Sequence, residues 1–245
     1  SFPFCFSRDS SGRSDVKRLG ILGGMGPEAA IDLQLKILRR TSAQRDRDHL
    51  PVVTWNIPQI PDRTAAILGQ ALSPLPAMTD GVMALERLGA QIIVIACNTA
   101  HHWHSELQSA VPIPILHIVD ACHDQIAQQH SAVHRLGLLA TDGTRHSGFY
   151  QRRLAAFGIE LVMPPESGQR VIGQAIGQIK SGHHEAAARL VAPIAENLCE
   201  RGAERIILGC TELPLVVERL SVADRCVDAT DALARQAVHA CQSAN

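Results

Sequence analysis

Two cysteines occupy matching places in this chain, and their chemistry sets the first question. The segments Gly89-Ala-Gln-Ile-Ile-Val-Ile-Ala-Cys97-Asn-Thr and Gly202-Ala-Glu-Arg-Ile-Ile-Leu-Gly-Cys210-Thr-Glu share a Gly-Ala lead, an apolar run and a Cys eight residues after the Gly. A thiol with an ordinary pKa near ~8.5 exchanges between thiol and thiolate close to neutrality. Two such groups facing one carbon can remove a proton from one side and return it from the other, which a single base does poorly. A buried Cys is commonly just a small hydrophobe, and Gly-Ala before an aliphatic strand recurs in α/β proteins. Neither fact explains a Cys at the same place twice. Each Cys ends an apolar run and opens a polar turn before an expected helix, so both thiols are expected to be acidified by helix N-termini.

The match extends upstream. Arg18-Leu-Gly-Ile-Leu-Gly23 parallels Arg135-Leu-Gly-Leu-Leu-Ala140, with Cys97 77 residues after Gly20 and Cys210 73 residues after Gly137. Paired landmarks at near-equal spacing indicate an internal duplication. Short aliphatic runs alternate with amphipathic stretches, which predicts βα units and parallel sheets buried on both faces. Strands are expected at Leu19–Leu22, Val52–Asn56, Ile92–Ala96, Ile115–Ile118, Leu136–Leu139, Glu160–Met163, Ile206–Leu208 and Arg225–Asp228. Helical patterns cover Pro27–Thr41, Met78–Leu88, Val171–Lys180 and Glu185–Glu200. Two such halves about a pseudo-two-fold axis would aim equivalent strand ends, and both thiols, at one cleft.

Other polar residues have two readings each. The turn Gly23-Gly24-Met25-Gly26-Pro27 suits close approach of an anion, with Pro27 in the first helical turn, or is simply a tight βα turn. It is neither a dinucleotide fingerprint nor a P-loop. Thr141-Asp142-Gly143-Thr144 offers hydroxyls and amides to a carboxylate, or caps the next helix. Arg63, at a helix start, either clamps a carboxylate or pairs with Asp62 or another surface acid. Lys180 at a helix end reads as structural on its position alone. His101, His102 and His104 follow Cys97 without a second ligand pair at a zinc-like distance, so no metal is expected and partial exposure along a helix is.

The chain of 245 residues has a formal charge of −1, 46% hydrophobic and 19% charged residues. No basic surface for nucleic acid and no apolar run long enough for a membrane span stand out. Seven cysteines, an odd number without a C-x-x-C pair, favour free thiols in a reducing cytosol over a disulfide framework. Residues 1–16 are Ser-rich and are expected to be a disordered leader without a functional part.

Five motifs in order, Gly23-Gly-Met-Gly-Pro27, Ile60-Pro-Asp-Arg-Thr64, Cys97-Asn-Thr-Ala-His101, Leu139-Ala-Thr-Asp-Gly-Thr144 and Gly209-Cys-Thr-Glu-Leu-Pro214, resemble the aspartate/glutamate racemase family. The resemblance runs from about Lys17 to the C-terminal helix. It implies two flavodoxin-like α/β domains, residues 17–114 plus 225–245 and residues 115–224, with the site between them. It implies a cofactor-independent (PLP-free) cytoplasmic enzyme, commonly a homodimer, acting on a small amino acid. In it Cys97 and Cys210 are the catalytic thiols and Arg63 and Lys180 hold carboxylates. Met25, Asn98, Thr99, Thr141, Thr144, Thr211 and Glu212 then line the pocket. Cys-Thr-Glu at residues 210–212 resembles the aspartate branch. The competing expectations are a maleate, hydantoin or malonate type isomerase or decarboxylase, and a non-catalytic carboxylate-binding protein.

Overall fold

The computed structural model describes residues 16–129 and 133–243; the expected leader, apart from Val16, lies outside them. In chain order the strands are β1 (Leu19–Gly23), β2 (Val52–Asn56), β3 (Ile92–Ile95), β4 (Arg135–Ala140), β5 (Glu160–Val162), β6 (Arg205–Gly209) and β7 (Cys226–Asp228). The helices are α1 (Pro27–Arg40), α2 (Arg63–Ile67), α3 (Leu75–Arg87), α4 (His104–Ser109), α5 (Ile118–Gln129), α6 (Asp142–Ser147), α7 (Phe149–Ala155), α8 (Glu166–Lys180), α9 (His184–Glu200) and α10 (Ala229–Gln242).

All strand pairs are parallel, in two sheets ordered β2-β1-β3 and β5-β4-β6-β7. The expected strand at Ile115–Ile118 is reduced to a bridge between Ile115 and Ile93. Pro112 and Pro114 remove ladder donors there, and α5 has begun by Ile118. That bridge lies beside β3 as β7 lies beside β6, so both sheets follow one plan.

The duplication persists in side-chain detail. Gly89 and Gly202 sit in left-handed turns (φ +84° and +91°), where a Cβ would stand 2.2 Å from Nη1 of Arg18 and of Arg135 respectively. Arg40 meets Asp231 in a bidentate ion pair, and Arg153 meets Asp120 at 2.6 and 2.8 Å. The two arginines are separated by 113 residues, as are the two cysteines.

These pairs cross between halves. Helix α10 leaves the second sheet and packs on α1, and α5 leaves the first and packs on α7 and α10. Leu19 and Ile21 of β1 therefore share one apolar core with Leu136 and Leu138 of β4 through residues such as Cys122 and Leu233. Separate cores cover the outer faces of each sheet. Burying each aliphatic side chain contributes roughly 1.5–3 kcal/mol, so this shared layer holds the two halves in register beneath the strand ends. No helix among the described residues is long and apolar enough to cross a membrane.

Candidate active site

Cys97 follows β3 and Cys210 follows β6, so equivalent strand ends present both thiols to one space. That space is also lined by Met25, Arg63, Asn98, Thr99, Thr141, Lys180, Thr211 and Glu212, together with Asp62 and Thr64, which the sequence did not single out. Thr144 lies just beneath, bonded to Thr99. The two thiols are 5% and 4% exposed. The cavity is about 20 Å³, room for little more than one water on a measure where a water needs roughly 10–15 Å³.

The halves meet through small polar contacts. Thr99 Oγ1 lies 2.9 Å from Thr141 Oγ1 and 3.0 Å from Thr144 Oγ1, and the Thr141 and Thr144 hydroxyls are 3.1 Å apart. Thr141 also caps α6, accepting from the Thr144 amide at 3.1 Å. The capping and cavity-lining readings of this turn thus coexist. Between the walls, a Cβ on Gly143 would stand 2.8 Å from Thr64 Cα. The glycine turn before α1 has Gly26 at the N-cap and Pro27 at the first position. The anion beside it is the protein's own: a Cβ on Gly26 would be 3.1 Å from Glu212 Oε1.

Arg63 is not paired with Asp62, which instead caps α2 by accepting from Ala65 N at 2.7 Å. The guanidinium donates to the carbonyls of Ile60 and Pro61 at 3.0 Å and of Met25 at 3.1 Å. Three of five N–H donors are thus engaged. Among those left is the buried Nε–H, which has no hydrogen-bond partner. Held on one side by backbone, the group has a fixed position and two donors left, the number a carboxylate takes from an arginine edge.

The two thiols differ in their surroundings. Cys210 Sγ donates to Glu212 Oε2 at 2.9 Å, and Lys180 Nζ lies 4.0 Å from Glu212 Oε1. Thr211 Oγ1 also reaches Glu212 Oε2 at 3.4 Å. Burial, then the Glu212 charge and its hydrogen bond to the thiol, push the Cys210 thiol well above its ordinary value, with Lys180 opposing. The expectation of an acidified Cys210 is therefore corrected. The turn after it is a 3₁₀ segment, Leu213–Arg219, and a carboxylate touching sulfur outweighs so short a dipole. Beside Cys97 the place of Glu212 is taken by Thr99.

Of the three histidines after Cys97, His102 is exposed and His104 half-buried as expected, and only His101 departs. His101 is buried, not exposed, and its Nδ1 donates to the Cys97 carbonyl at 2.9 Å. Burial lowers its pKa to about 4, so the ring is neutral. It packs edge-on against His117, which also contacts His104. Sequence reasoning missed His101 because Cys97-x-x-x-His101 spacing did not reveal that a 3₁₀ turn, Thr99–Trp103, folds the ring back under Cys97.

Lysine and carboxylate, two thiols, a guanidinium fixed by backbone carbonyls and a hydroxyl triangle are thus gathered at one small cavity. A family model described as Asp/Glu/Hydantoin racemase matches residues 22–237. The broad specificity amino-acid racemase RacX of Bacillus subtilis is 29% identical over 226 residues, 90% of this chain and 96% of that protein. The aspartate racemase of Picrophilus torridus superposes with a TM-score of 0.81 at 30% identity, covering 92% of this chain and 94% of that one. An aspartate racemase homologue from Pyrococcus horikoshii gives 0.74 at 25% identity, covering 93% and 100%. With paired thiols at duplicated strand ends and a match across nearly all of the described fold, the chain belongs to the Asp/Glu/Hydantoin racemase family of isomerases.

Proposed function

We propose that this racemase inverts an acidic amino acid, aspartate before glutamate, using Cys97 and Cys210 as opposed acid and base without a pyridoxal cofactor. The observation that carries this reading is that both thiols line one cavity together with Arg63 and Lys180. Two cations suit the two carboxylates of such a substrate, and Glu212 suits its ammonium group.

In one direction the Cys97 thiolate takes the α-proton, forming an S–H bond as the Cα–H bond breaks. The Cys210 thiol gives its proton to the opposite face of the same carbon, leaving a thiolate. Arg63 and the threonine hydroxyls stabilise charge that moves into the α-carboxylate during transfer. Glu212, already bonded to the Cys210 sulfur, disfavours the thiolate left there and drives its reprotonation. The opposite enantiomer uses the reversed assignment. At about 20 Å³ the cavity is too small for an amino acid, so on this reading the strand-end walls part to admit it.

The reading also includes a homodimer. The exposed Ile31, Leu35 and Leu38 on α1 and Trp55 on the edge strand β2 supply an apolar face of the kind that pairs copies.

Proton NMR in D₂O, with reduced protein and no added PLP, tests the central claim. Loss of the α-proton signal of L-aspartate with appearance of the D-enantiomer is the expected result, with L-glutamate slower. Exchange confined to neutral amino acids overturns the acidic-substrate assignment. Absence of any amino-acid exchange moves the reading to the isomerase or decarboxylase chemistry of the same scaffold.

A further inference from the structure

Tyr150 is the chain's one tyrosine, and it lies on α7 with none of its surface exposed. A buried phenol needs a partner for its hydroxyl. Tyr150 Oη donates to Asn98 Oδ1 at 2.6 Å, reaching from the second half of the chain to the residue after Cys97 in the first. The Cys122 thiol interacts with the same hydroxyl. This contact has no counterpart across the pseudo-two-fold. The residue 113 positions before Tyr150 is Ile37, an ordinary member of the apolar core, and the equivalent of Asn98 is Thr211. Packing alone would have been served by another aliphatic residue.

Asn98 is 1% exposed and lines the cavity, yet its Nδ2 is buried without a hydrogen-bond partner. An unsatisfied buried donor is costly, roughly 1–3 kcal/mol, and such a cost persists where a ligand supplies the missing acceptor. An asparagine amide has two orientations differing by a half-turn, one offering N–H groups and the other a carbonyl oxygen. With a phenol donor on the oxygen, the N–H groups are the ones left for the cavity.

We propose that Tyr150 is a positioning residue: its hydroxyl locks the Asn98 amide so that its N–H groups, not its carbonyl, meet the substrate carboxylate. The inference rests on the reading of the cavity as a carboxylate site. Without the lock the amide turns freely, and the half-turned form sets an oxygen against an anion. Because that contact is made equally by bound substrate and transition state, its loss weakens binding more than chemistry.

The test compares Tyr150→Phe with Cys122→Ala, which disturbs the same buried spot but leaves the Tyr150–Asn98 bond. In Tyr150→Phe, KM for L-aspartate is expected to rise about tenfold with kcat changed less than threefold. Cys122→Ala is expected to lower the unfolding midpoint with KM unchanged. Independently of turnover, the ¹⁵N-resolved side-chain amide pair of Asn98, assigned by its loss in Asn98→Ser, should shift or broaden in ligand-free Tyr150→Phe and not in Cys122→Ala. An unmoved amide pair, an unmoved KM, or an equal KM rise in both variants overturns the proposal. If the unaltered protein turns over no acidic amino acid, the functional reading falls, and the amide pair still decides whether Tyr150 sets the orientation of Asn98.

Discussion

Cys210 donates its thiol proton to Glu212 at 2.9 Å, whereas the matching position beside Cys97 holds Thr99. A duplicated scaffold thus carries an unsymmetrical pair. One sulfur is held protonated against a buried carboxylate, and the other has no carboxylate at the matching position, where the Thr99 hydroxyl binds Thr141 and Thr144. Glu212 therefore favours the thiol form of Cys210.

Replacing Glu212 by Gln removes the charge that raises the Cys210 thiol while keeping its size. Cys210 should then ionise at lower pH, since burial alone remains to hold it up. The pH dependence of alkylation at Cys210, followed by peptide mass spectrometry, should move down. Turnover should fall about 10²-fold, the lower end of a lost acid–base group. An unmoved alkylation profile would show that burial alone sets the thiol.

Single replacements of the two cysteines by Ser separate the two faces. Each is expected to lower racemisation by about 10³-fold or more. Each should retain some α-proton exchange in D₂O for one enantiomer only, opposite in the two variants. Loss of function in one variant with near-normal inversion in the other is the pattern that contradicts an opposed pair.

Much of this arrangement was legible beforehand because duplication writes itself twice. The strands ending at Cys97 and Cys210 are short, buried on both faces and led by the same Gly-Ala turn, so local pattern and repeat agree. Helices α4, α6 and α7 were not legible: at six or seven residues each, they are too short for a hydrophobic period to declare itself. The Tyr150–Asn98 bond spans 52 residues, and no local rule pairs them. The direction of the Cys210 shift depends on a Glu212 side chain turning back towards sulfur, and that fact exists only in three dimensions. Lys180 is a helix-end lysine, 43% exposed, and its position alone reads as structural; the cavity it borders comes from the other strand ends.

Gly143 tests how closely the walls must approach. An Ala there puts a methyl 2.8 Å from Thr64 Cα, 2.9 Å from Thr64 Oγ1 and 3.1 Å from Thr99 Cγ2. Backbone on the opposite wall cannot yield as a side-chain tip does, so the Gly143→Ala protein should lose about 1–3 kcal/mol of stability and much of its kcat/KM. Gly177, inside α8, serves as the contrast, because a methyl added there meets nothing within 4 Å. There Ala should stabilise by about 0.5–1 kcal/mol. Urea unfolding midpoints of the two variants check both signs.

His101 supplies the last prediction, a pH dependence of stability. Its buried ring is neutral in the native state, with a pKa lowered from 6.5 to about 4 chiefly by desolvation and then by His104. The unfolded chain binds a proton at His101 below about pH 6.5 while the native state does not, so stability rises with pH across this window. It is lost as pH falls from about 6.5 towards 4, by up to about 3 kcal/mol from this residue. His117, also lowered by burial, acts in the same direction. Urea midpoints should therefore fall between pH 7 and pH 5, and His101→Gln should flatten the fall. A midpoint equally steep in that variant would assign the acid sensitivity to His117 or to groups elsewhere, and would remove His101 as the ring whose protonation loosens the turn under Cys97.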